Sequence, residues 1–166
     1  MFRIIKNLKS NYSIFKSIMS LSDKKIKIVF YSENKSYQMC NNSLVKFFAN
    51  KYPNQVYYVS SDIDDKYEDS KVKYMYIGKG FLMNFFFSIL KAEYFFLTLT
   101  DLGNHSLSKS KKIDKYVYYF HSGGSTFQGY TERELLIIMI LYYAMDSSKL
   151  MKFNLEKIKK IYQIRN

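Results

Sequence analysis

The chain has 166 residues, 48% hydrophobic and 19% aromatic, enough to bury the core of one ordinary domain and too apolar for general disorder. Lys and Arg total 26 against 14 acids, a net charge of +12 that suits a polyanion, an anionic membrane surface or a phosphate-bearing substrate. One cysteine, Cys40, and two histidines exclude an intramolecular disulfide and give no Cys/His metal spacing, so a reducing, cytoplasmic setting without metal or cofactor is the simplest expectation. Abundant Lys, Ile, Asn, Tyr and Phe beside one Pro and no Trp match AT-rich codons, and part of the basic excess traces to that bias.

In Met1–Leu21 the apolar residues Ile4, Ile5, Leu8, Tyr12, Phe15 and Met19 recur at helical spacing, with Arg3, Lys6, Lys9 and Lys16 off that stripe. Residues 1–24 therefore read as a basic amphipathic helix. It either packs on its own domain or lies peripherally on the inner face of an anionic membrane. The basic residues break the apolar run and no small-residue cleavage site follows, so no signal peptide is expected. Phe81–Thr100 contains Lys91 and Glu93, and Leu135–Met145 is only 11 residues long, short of the roughly 20 a spanning helix needs.

From Lys25 the pattern turns to short β-rich runs: Ile26–Tyr31, Gln55–Val59, Val72–Ile77, Tyr94–Leu99 and Lys115–Phe120. Helical segments around Ser43–Asn50 and Phe81–Leu90 fall between them. Such alternation predicts an α/β fold, a Rossmann-like parallel sheet with helices on its faces. Gly78-Lys79-Gly80 lies between a strand and a helix and reads as an ordinary turn that needs glycine conformations. Ser60-Ser61-Asp62-Ile63-Asp64-Asp65 collects three carboxylates without calcium-loop spacing, and reads as a solvated turn capped by Ser or Asp. The basic run Lys109, Lys111, Lys112 and Lys115 is a solvated face, or a lure for a phosphate-rich acceptor ahead of the next strand.

That strand, in KYVYYFHSGGST (Lys115–Thr126), ends in His121 and then in small residues. Ligands of open α/β sheets bind outside the carboxyl ends of strands, so a titratable group there is placed for chemistry. Ser122, Gly123, Gly124, Ser125 and Thr126 can turn tightly and offer backbone amides and hydroxyls to a phosphate. A neutral imidazole beside them would take the proton of an attacking hydroxyl. A lone histidine is more often a structural residue, and His105, in the loop Asp101–Lys109, has the weaker claim of the two.

KIVFYSENKSY (Lys27–Tyr37), VYYVSSD (Val56–Asp62), LTLTDLGNH (Leu97–His105) and KYVYYFHSGGST, in that order and spacing, resemble the N-terminal half of the CDP-glycerol glycerophosphotransferase family. The resemblance covers roughly Lys25–Arg133. It implies one half of a GT-B transferase, in which two Rossmann-like halves flank a cleft and extend teichoic-acid-like polymers. His121 would be the general base on the acceptor hydroxyl, Ser122–Thr126 would hold phosphate, and CDP-glycerol would be the donor substrate. The implied partners are a lipid-linked or polymeric acceptor and, through residues 1–24, an anionic membrane surface.

After Tyr130-Thr131-Glu132-Arg133 the family continues with Ala-Phe-Asp-x-Tyr-Asp, whereas this chain runs on with Glu134-Leu135-Leu136-Ile137-Ile138-Met139. Glu132-Arg133-Glu134 can be written GAG AGA GAG, a GA tract on which a polymerase slips. With degenerate codons chosen accordingly, removing one GA unit makes the bases after it read Ala-Phe-Asp-Asn-Tyr-Asp. Residues 134–166 are therefore expected to be an out-of-frame or divergent tail following a 25–133 acceptor-side domain. The donor-binding half is expected to be missing, leaving the 166-residue chain inactive by itself. Two other classes remain: a non-catalytic peripheral membrane or interaction module, and a fragment of another GT-B sugar transferase, because a fold does not fix its donor. A nucleic-acid partner is not expected, since the aromatics follow buried-strand patterns rather than an exposed stacking motif.

Overall fold

The computed structural model describes residues 2–99, 102–103 and 107–118, with 2–9 and Cys40 described by their backbone alone. It is a Rossmann-like α/β fold. Five strands, β1 (Ile26–Ser32), β2 (Val56–Ser60), β3 (Val72–Tyr76), β4 (Ala92–Leu97) and β5 (Ile113–Tyr118), form one sheet in the order β3-β2-β1-β4-β5. All four pairings are parallel. Among the described residues three helices flank it: α1 (Phe2–Ser22), α2 (Gln38–Lys51) and α3 (Phe81–Ile89).

A parallel strand covered on both faces needs apolar side chains at odd and even positions alike, and β1 (IKIVFYS) is buried at all but Lys27. Successive side chains point to opposite faces, so the central strands divide the core in two. Ile28, Phe30, Tyr58, Tyr94 and Phe96 meet Leu44, Val45, Phe48 and Ala49 of α2 on one face. The rings of Phe30 and Phe96 stack at 4.5 Å, and Phe48 lies 5.3 Å from Phe96. Val29, Tyr31, Val59, Phe95 and Leu97 meet α1 and α3 on the other face, where Phe87 sits edge-on to Tyr31 at 4.9 Å.

Several elements depart from the sequence expectation. β4 and β5 begin two residues earlier than their aromatic runs, at Ala92 and Ile113, because these buried apolar residues pair with each other and Ala92 also pairs with Ile26. α2 begins at Gln38 rather than near Ser43. A 3-10 turn over Lys35–Tyr37 leads into it, started by Asn34, whose side chain accepts from the Ser36 amide. In α1 the described part of the predicted stripe, Tyr12 (71% exposed), Phe15 (37%) and Met19 (43%), faces outward, while Ile18 (0%) and Leu21 (9%) enter the core. The helix carries two apolar rows, and the aliphatic one matches the sheet. Lys109, Lys111 and Lys112 of the basic run are exposed, as a solvated face requires. Lys111 and Lys112 precede β5 at the amino edge, and Lys109 lies over the Tyr116 ring at 4.7 Å. Lys111 and Lys112 are therefore at the opposite edge from the carboxyl ends of the strands.

Candidate functional site

β1 is followed in chain order by β2 and β3 on one side, and α3 then carries the chain across to β4 on the other. The crevice between the carboxyl ends of β1 and β4 is thus the topological switch point, where neighbouring connections diverge and leave room for a ligand. Two polar side chains meet across it: the Thr98 hydroxyl donates to Glu33 Oε2 at 3.2 Å, joining the residues just past β4 and β1. Glu33 is half-buried. A carboxylate in this position accepts hydrogen bonds from hydroxyl-bearing ligands.

Beneath the β1–β2 end lies a floor of buried polar groups: Ser32, Asn41, Tyr58, Ser60 and Asp65 are all fully buried. The Tyr58 hydroxyl is 3.2 Å from both oxygens of Asp65, and the Ser60 hydroxyl donates to Asp65 Oδ2 at 2.9 Å. Desolvation by burial pushes the Tyr58 phenol well above its ordinary range, with the Asp65 charge adding to it. The Ser61 amide donates to the Ser32 carbonyl at 3.0 Å, tying the loop after β2 to the end of β1. Beside it the Tyr31 hydroxyl lies 2.8 Å from Ser61 Oγ and 3.1 Å from Met83 Sδ, which links the same edge to α3. Burial raises the Tyr31 phenol too, so it stays a neutral hydrogen-bonding group.

The carboxylate loop is a capped turn. Asp62 Oδ1 accepts from the Asp64 amide and Oδ2 from the Lys35 amide, each at 3.1 Å. Those two backbone donors, helped by Lys79 and Lys35, hold its carboxyl below the usual aspartate value. Among the described residues no group of three or more His, Cys, Asp or Glu could hold a metal ion. Gly78 (φ 70°) and Gly80 (φ 66°) both occupy the left-handed region, and Gly80 starts α3 without a side-chain cap. A Cβ on Gly80 would meet nothing within 4 Å, so its requirement is conformational rather than close packing. A cleft of about 450 Å³ opens between α2 and the loop after β2. Lys35, Lys46 and Lys66 line it together with Asp64, Glu68 and Asp69, so it presents no single sign of charge to a ligand.

His121, Ser122, Gly123, Gly124, Ser125 and Thr126 lie outside the described residues, as do His105 and the 134–166 segment. The strand that leads to them is described: β5 ends at Tyr118, and His121 is the third residue after it. Sequence reasoning missed Glu33 and Thr98 as a pair. Each is a polar residue directly after an apolar strand, but only the β1–β4 adjacency brings them together. No helix among the described residues is long and apolar enough to cross a membrane. No protein-family model, curated protein or solved structure matches the chain.

Proposed function

We propose that the chain is the acceptor-side portion of a CDP-glycerol glycerophosphotransferase-like enzyme, of GT-B type, that builds a cell-surface polymer of teichoic-acid-like or capsular kind. The observation that carries this reading is the polar crevice at the β1–β4 switch point, with Glu33 and Thr98 across it, on the edge toward which β5 runs before His121. In this reading an acceptor hydroxyl hydrogen-bonds to Glu33. His121 takes its proton as the oxygen attacks the phosphorus bearing glycerol, and the bond to the departing cytidine monophosphate breaks. Ser122–Thr126 hold phosphate through amides and hydroxyls. A second Rossmann-like half grips the nucleotide in enzymes of this architecture, and the sheet described here forms the facing wall.

The test is to express the 166-residue chain beside the product of the same gene with one GA unit removed across codons 132–134, and to supply each with CDP-glycerol and a polymer acceptor. Transfer is expected only from the frame-restored product, and His121→Ala abolishes it. Transfer that survives His121→Ala, or a restored frame that encodes no nucleotide-binding half, overturns the proposal. Transfer from a nucleotide sugar instead of CDP-glycerol assigns the chain to another GT-B sugar transferase.

A further inference from the structure

Independently of the transfer reading, we propose that the cleft between α2 and the loop after β2 is a binding site for a small zwitterion, a ligand with an ammonium group a few bonds from a phosphate or carboxylate. The cleft has a volume of about 450 Å³, within the range of small-molecule sites. On one side Gln38, Asn42 and Lys46 follow at intervals of four along α2 and so share one face of the helix. The segment 64–69 lines the other side, and Lys35, in the turn before α2, also borders the space.

The two sides are tied together before any ligand arrives. Gln38 Nε2 donates to the Lys66 carbonyl at 3.0 Å, and the Tyr67 hydroxyl donates to Asn42 Oδ1 at 2.9 Å. Tyr67 is itself buried, with its ring stacked on Tyr58 at 4.7 Å. Asp69 Oδ1 accepts from the Lys71 amide at 2.8 Å, which fixes the end of the loop ahead of β3. Such ties reduce the ordering cost that weakens binding at a flexible surface.

The charges on this frame define the ligand. Lys35, Lys46 and Lys66 bring three ammonium groups, and Asp64, Glu68 and Asp69 bring three carboxylates. Among the described residues none of these ammoniums forms an ion pair with any of these carboxylates, whereas Lys25 and Asp114 pair elsewhere at 2.7 Å. Both signs therefore line one concavity without neutralising each other. A simple anion gains the lysines but is repelled by carboxylates lining the same space, and a simple cation meets the reverse. The carboxylates do not converge as metal ligands either, because among the described residues no group of three or more His, Cys, Asp or Glu could hold an ion. A zwitterion satisfies both sets at once, its anionic group bonded to ammoniums and its ammonium to carboxylates, each as a charge-assisted hydrogen bond.

NMR titration of the isotope-labelled 166-residue chain tests this. Phosphoethanolamine and β-alanine are the zwitterionic probes, with inorganic phosphate and ethylamine as single-signed controls. Saturable shifts are expected at the amides of Lys46, Lys66 and Glu68, with the better zwitterion binding about fivefold more tightly than either control, the factor that one part-exposed ion pair supplies. Which zwitterion binds better tells phosphate from carboxylate. Glycerophosphoethanolamine, which carries the same headgroup as a phosphodiester, then separates a free monoester from a group borne on a lipid or polymer. Lys46→Ala is expected to weaken zwitterion and phosphate alike, by about threefold. Glu68→Ala is expected to weaken the zwitterion and leave phosphate unchanged or tighter, a split that a merely structural role does not produce. Both side chains are exposed, so the fold is expected to survive, which an unchanged melting midpoint verifies. Equal binding of phosphate or ethylamine alone, zwitterion binding that survives both substitutions in the folded chain, or no saturable shift at these amides with either zwitterion overturns the proposal.

Discussion

Tyr58→Phe isolates the buried polar floor, because it keeps the ring stacked on Tyr67 at 4.7 Å and deletes only the hydroxyl. That hydroxyl lies 3.2 Å from both Asp65 oxygens, in a pocket where Asp65 has no exposed surface and Ser60 supplies another donor at 2.9 Å. A hydrogen bond to a charged group contributes about 1.5–3 kcal/mol, and the long, shared geometry here sets the expectation near 1.5–2 kcal/mol. The side chains of Ser32 and Asn41 also reach this hydroxyl, and they lose a partner in the variant. Urea denaturation followed by circular dichroism reads the loss as a midpoint lowered by about 1 M at unchanged slope, for a slope near 2 kcal/mol per molar. Repeating it in an Asp65→Asn background closes a double-mutant cycle, with a coupling of about 1 kcal/mol expected between contacting groups. A midpoint shift under about 0.2 M together with negligible coupling would refute the reasoning, because the hydroxyl would then not be supporting a buried carboxylate.

Phe96→Ala opens a cavity between Phe30 and Phe48 and is expected to cost about 3–5 kcal/mol in the same denaturation experiment; a loss below about 2 kcal/mol would mean that this face of the sheet repacks freely. Asp62 has a folded pKa below its ordinary 3.8, so its contribution is present above that value and fades as pH falls through the folded value. Asp62→Asn is therefore expected to flatten the acid limb of the stability profile, and an NMR titration of Asp62 with its midpoint at or above 3.8 contradicts the amide-capped turn. At the alkaline end, burial raises Tyr67 to about 12 from 10.0 and pushes Tyr31, Tyr58 and Tyr116 higher. Stability is then full below pH 10, where the phenols of the unfolded chain are still protonated, and is lost progressively above it as those phenols ionise. Phenolate absorbance is expected to show these four titrating only with unfolding, and their ionisation in the folded chain near pH 10 would be the contrary result.

Much of the sheet was legible from local sequence pattern. A strand such as IKIVFYS must be covered on both faces, and helical spacing in LVKFFA placed α2 between two such strands. Element starts were less legible. Ala92 and Ile113 carry no strong β signal by themselves, and only their pairing across β4 and β5 draws them into the sheet. In α1 two apolar rows compete within the same periodicity. Choosing between Ile18 with Leu21 and Phe15 with Met19 requires the surface they meet.

The parallel α/β class, the approximate positions of the strands and the carboxylate turn at Asp62 follow from residues close together in the chain, because alternation, apolar runs and turn chemistry are local properties. The tertiary structure alone decided the rest. Glu33 and Thr98 are 65 residues apart and meet only because β4 pairs with β1. The lysines before β5 fall at the amino edge because that strand runs parallel to its neighbour, and the aromatic row of α1 faces outward because Ile18 and Leu21 fit the sheet. Periodicity assigns residues to a common face, whereas the partner of that face is set by strand order and packing between segments distant in sequence.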